Sequence, residues 1–290
     1  MKTRLPEIRH NRAGFLALAK LAEDTASCFL DEIEIDMSGV GWFDADMCAP
    51  LGAVLTRLTS GLNSVTLRDM QPDVERILSK NGFLSHYGGY VVPDRWATTI
   101  SYLRFDAKDD RYFADYIENE LMHRSEIPTM SPGLSKKFLE NIFEIFSNAV
   151  LHAESKQGIF SCGQYYPKRH ALNFSVADLG MGMRRNIKER MGLDLTARDA
   201  IAWATQARNT TKRGSVPGGL GLKLLVEFID LNGGNIQIVS DAGYWRRSDR
   251  QTTSTALPHD FPGTVVTLEI NTADTRSYVL TSEINLSDIF

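Results

Sequence analysis

The sequence predicts a two-domain chain of mixed α+β and α/β character, and three observations predict it. Strand and helix patterns alternate over residues 1–95, a long uninterrupted helix runs within a second unit over 96–272, and the second unit closes on further strands. With 290 residues, 43% of them hydrophobic and 23% charged, the chain is long enough to bury two cores. Residues 273–290 read as a polar C-terminal tail.

The elements follow in order. Phe15, Leu18, Leu21, Ala22 and Phe29 recur at helical spacing within 13–29. Ile33, Ile35 and Met37 then alternate with acids as a strand does, before the loop Ser38-Gly39-Val40-Gly41. A helix spans Pro50 to Leu62 with proline in its first turn, and Val65-Thr66-Leu67 reads as another buried strand. A third helix opens at Pro72 and stops at Asn81-Gly82. Beyond Pro93 come a strand from Thr98 to Phe105 and an amphipathic helix from Asp109 to His123, and Pro128 and Pro132 then interrupt the chain.

Composition narrows the functional classes. Thirty-two basic against 36 acidic residues give a net charge of −4, which argues against a surface built throughout for nucleic acid. No apolar run approaches the roughly 20 residues of a membrane helix, and Phe15 to Ala19 ends at Lys20 without a cleavage-like signal. A cytoplasmic location is expected. Cys28, Cys48 and Cys162 are odd in number and lack CxxC spacing, so reduced, mostly buried thiols are expected.

The chemistry concentrates in the second unit. No glycine or proline breaks Leu134 to Ala153, and Phe138, Ile142, Ile145, Ala149 and Ala153 mark its buried face. Glu140, Glu144, Asn148 and His152 recur every four residues along one side, the spacing also of a solvated polar stripe. Magnesium prefers oxygen ligands and keeps several waters, so an Asn carbonyl oxygen suits it, and a Glu one turn away can polarise water. A short strand, Asn173 to Ala177, ends at Asp178, followed by Gly180 and Gly182, which let a backbone approach a ligand closely. Gly218, Gly219, Leu220 and Gly221 open a helix whose free N–H groups suit phosphate, and Gly233-Gly234 ends it. Strands from Asn235 to Ser240 and from Thr264 to Ile270 close the unit. Between the glycine clusters, 183–217 holds eight basic residues against three acidic ones, with Thr196 placed to cap a helix through Ala207. Such a connection beside a phosphate site reads as a lid.

Two resemblances follow from these motifs. Residues 10–92 resemble a STAS domain, on the strand Glu32 to Met37, the loop Val40-Gly41-Trp42-Phe43-Asp44-Ala45-Asp46, and the ending Gly82-Phe83-Leu84. Ala45 and Asp46 stand where the family has its serines, so the usual phosphorylation is not expected, and Asp46 would present a permanent negative charge. The second unit resembles the Bergerat-fold ATP-binding domain of the GHKL superfamily, and Glu144-Ile-Phe-Ser-Asn148-Ala-Val-Leu-His152 is most similar to the anti-sigma serine kinases. That resemblance implies an α/β sandwich, a mixed sheet with helices on one face, with ATP and Mg²⁺ as cofactors. Glu144 would be the general base and Asn148 the magnesium ligand. Asp178 would read the adenine amino group, and Gly180, Gly182 and Thr264 would line the base pocket. Lys212, Gly218, Gly219, Leu220 and Gly221 would hold the phosphates.

Departures limit the activity implied. His123-Arg124 and His152-Ala153 lack the following acid of a phosphoacceptor, and His259-Asp260 falls in a proline-flanked loop, so a histidine kinase is not expected. Only about 20 residues follow Ile270, too few for the transducer domain of gyrase-like ATPases. The expectation is a Mg-dependent ATPase or protein serine kinase of regulation; the alternative is an interaction module gated by ATP without turnover. Its partners would be ATP and a protein docking through the STAS-like unit, with a homodimer allowed, and neither membrane nor nucleic acid.

Overall fold

The computed structural model describes residues 1–151, 157–206, 209 and 221–283. The first unit is built on a parallel sheet of β1 (Lys2–Arg4), β2 (Glu32–Asp36) and β3 (Ser64–Arg68), in that order. Helices α1 (Arg12–Asp24), α2 (Cys48–Ser60) and α3 (Pro72–Lys80) alternate with the strands. Local chemistry sets their starts: the Asn11 side chain accepts from the amides of Ala13 and Gly14, and Pro72 opens α3. Strand β3 is a half-exposed edge rather than the buried strand expected, because β2 pairs with it on one side only.

The second unit carries five strands in the order β4 (Thr99–Phe105), β5 (Ile159–Tyr166), β6 (Ala171–Asp178), β8 (Gln251–Asn271), β7 (Asn235–Ser248). Every pair is antiparallel, which corrects the mixed sheet expected. Two of the pairs follow from their connections: β5 turns into β6 through Pro167–His170, and β7 into β8 through Asp249 and Arg250, both at positive φ, and such tight turns join only antiparallel neighbours. The strands β7 and β8 run well beyond the lengths expected, so Pro258, His259 and Asp260 belong to β8 and not to a loop. The register to β7 lapses between Ala256 and Phe261, and β6 pairs only from Val265 on, so Pro258 sits where no ladder bond is broken.

Side chains of the sheet alternate between two cores. Leu172, Phe174 and Val176 of β6 join the cluster beneath α4 (Asp110–Ile117), α5 (Pro132–Leu151) and α8 (Gly221–Asn232), so the unit's own helices lie on that face. Against the opposite face lie α1 and α2, and one apolar cluster runs from Phe15, Ile33 and Leu51 of the first unit into Phe160, Ala177, Val239 and Val265 of the sheet. Asp46 sits inside this contact, fully buried, and accepts from His10 Nδ1 at 2.5 Å, Ser175 Oγ at 3.1 Å and Asn173 Nδ2 at 3.3 Å. The permanent charge expected of Asp46 is therefore enclosed within the chain. Cys48 and Cys162 are buried free thiols in the same contact, as expected, while Cys28 is half-buried.

Residues 273–283, placed in the tail by the sequence, run as a strap across the start of α5. Tyr278 bridges to Met130 and its ring meets Phe228, and Glu283 accepts from the Gly133 amide at 2.9 Å. Among the described residues no helix is long and apolar enough to cross a membrane.

Candidate functional site

Between α5 and the sheet lies a cleft of about 910 Å³, its open mouth included. Its near wall is one side of α5, where Glu144, Ile145, Asn148 and Ala149 follow the i, i+1, i+4, i+5 pattern of a single helical face. Its floor is the sheet: Val176 and Asp178 at the end of β6, and Thr264 and Val266 beside them on β8. The far wall comes from the segment read as a lid, which holds two helices, α6 (Met183–Met191) and α7 (Ala197–Ala204). Met183, Asn186 and Ile187 of α6, Trp203 and Ala204 of α7, and Asn209 face the cleft. Thr196 caps α7, as its spacing to Asp199 predicts.

Asp178 is the most perturbed group of the site. Only 6% of it is exposed, and burial pushes its pKa up to about 7 although the backbone amides of Gly180 and Thr264 donate to it. The Gly180 amide lies 2.7 Å from its Oδ1, so this glycine acts through its backbone on the acid. Gly263 sits at φ 151°, and a Cβ there would run into the Asp178 carbonyl, so the close approach of β8 to the acid requires glycine. At Gly182 the missing Cβ leaves room for the Asp241 carboxylate.

The structure thus brings together Glu144, Asn148, Asp178 and Thr264, with Gly180 behind the acid and Gly221 at the start of α8, where Leu222 closes the cleft. Lys212, Gly218, Gly219 and Leu220 lie outside the described residues, as does His152. Asn186, Trp203 and Asn209 were not singled out by the sequence. Their signal was faint: the Thr196 cap points to α7, but nothing in a basic, glycine-flanked stretch tells which side of a helix meets a cleft.

The chemistry of the lining is mostly apolar with a few converging polar groups, the usual composition of a small-molecule site. Among the described residues no group of three or more His, Cys, Asp or Glu side chains is placed to hold a metal ion by itself. One amide oxygen and one carboxylate on α5 suit a cation that takes its remaining oxygens from a phosphate-bearing ligand and water. Comparison of the chain with models of known protein families, and with curated proteins, gives no match.

Proposed function

We propose that the cleft binds ATP with magnesium and that the chain hydrolyses it or transfers its terminal phosphoryl group to a protein. The observation that carries this reading is the pairing of a buried acid on the floor, Asp178, with Glu144 and Asn148 one turn apart on the facing helix. An ionised Asp178 accepts from an exocyclic amino group, which selects adenine over guanine. Magnesium, when bound, would supply charge neutralisation at the phosphates, and Asn148 would be its protein ligand. Glu144 holds and deprotonates the attacking water or hydroxyl, and the apolar walls from Ile145, Ile187 and Trp203 keep bulk water from the base.

The resemblance to GHKL ATPases supports the same assignment of roles. The N-terminal unit, STAS-like in its motifs, packs on the opposite face of the sheet and leaves the cleft open. The test is the fate of γ-labelled ATP. Free phosphate identifies an ATPase, labelled protein a kinase, and intact bound ATP a nucleotide-gated interaction module. Equal calorimetric affinities for ATP and GTP, or no binding of either, would overturn the assignment of Asp178.

A further inference from the structure

The start of α6 lacks a cap of its own. Its N-cap residue is Gly182, which has no side chain to accept from the free amides of the first turn. Two residues of β7 serve instead. Ser240, fully buried, accepts from the Met183 amide at 2.9 Å, and Asp241 Oδ2 accepts from the Arg184 amide at 3.3 Å. Ser240 also shares a 2.9 Å hydrogen bond with the Thr264 hydroxyl on the cleft floor. Asp241 adopts a left-handed φ of 51° where the β7–β8 register shifts, a conformation a non-glycine residue keeps only where its surroundings impose it. These two neighbours therefore join floor and far wall at one point.

We propose that Ser240 and Asp241 are positioning residues of the cleft: they hold the first turn of α6 against the Asp178–Thr264 floor and so fix the wall that carries Met183, Asn186 and Ile187. The role requires an acceptor at 241 and a hydroxyl at 240; it does not require either to touch a ligand. The part of it that concerns ATP rests on the nucleotide reading of the cleft.

The experiment compares Asp241→Gly, which tolerates the φ but removes the acceptor, with Asp241→Asn, which keeps one. Ser240→Ala is the second variant and leaves the backbone conformation alone. Amide exchange is read by NMR on the full chain without nucleotide, and ATP affinity by calorimetry. Loss of a cap weakens ATP binding roughly three- to tenfold in Asp241→Gly and Ser240→Ala. Exchange at the Met183 and Arg184 amides rises with it, and Asp241→Asn restores both. Unchanged exchange at these two amides in both truncated variants would overturn the proposal, as would faster exchange with an unaltered affinity or failure of Asp241→Asn to rescue. A parent protein that binds no ATP would sink the nucleotide reading instead, while the exchange arm still decides whether the two residues hold α6.

Discussion

Replacing Asp46 by alanine should cost the fold more than any other single truncation on the contact between the two units. Its carboxylate has no exposed surface, and it neighbours a His10 side chain that is 1% exposed. Alanine leaves that imidazole, Ser175 and Asn173 without their acceptor. Removing one partner of a buried ion pair costs about 3–5 kcal/mol, whereas Asp46→Asn, which keeps an acceptor, should cost about 1–3 kcal/mol. The pH dependence separates charge from hydrogen bonding. Burial pulls the His10 pKa down, but the charge and hydrogen bond of Asp46, aided by Glu269 and Asp44, outweigh it and leave the pKa raised above 6.5. A raised folded-state pKa gives stability that is complete below about 6.5 and is lost as pH rises through the folded value. Urea unfolding of the parent should therefore show stability falling over that alkaline side, and Asp46→Asn should flatten the fall. Equal slopes in parent and Asp46→Asn would refute the ion pair.

Two further expectations concern the cleft. The pKa of Asp178 is about 7, so its ionised form, the acceptor for adenine, becomes the majority only above that value. ATP affinity measured by calorimetry should rise as pH increases through about 7, and Asp178→Asn should bind weakly with no such rise. Glu144→Ala should keep ATP binding while losing about 10²- to 10⁴-fold in turnover. Asn148→Ala, by contrast, should weaken binding only when magnesium is present; parent-like hydrolysis by Glu144→Ala would remove it from the base role.

Much of the scaffold was legible because its signals are local. Pro72 marks a helix start through its fixed φ, Thr196 marks one through a hydroxyl three residues from the amide it accepts from, and the run from Leu134 without glycine or proline marks α5. Asp178 was legible as the end of a strand, and Glu144 and Asn148 as a helical pair. The hidden features depend on distant partners. Strand β5 is buried along both faces and shows no alternation to read. The contact of Asp46 with Ser175 spans 129 positions, and nothing near either residue announces it. The prolines of β8 signal a loop until the lapse in its pairing with β7 is known.

The arm formed by β7 and β8 beyond Ser240 has a consequence for how the molecule holds together. One face of it meets α1, where Phe15 approaches Tyr244 and Arg12 donates to the Ala256 carbonyl; on the other, Gly243 admits Ala197 and Ile201 of α7. The tip at Asp249 and Arg250 is exposed, while the strands are paired from Gly243–Ala256 out to the tip. A protease that cuts after Arg250 would sever the chain without dividing the particle. The two fragments would remain clasped through α1, α7 and the sheet, and would part only under denaturant.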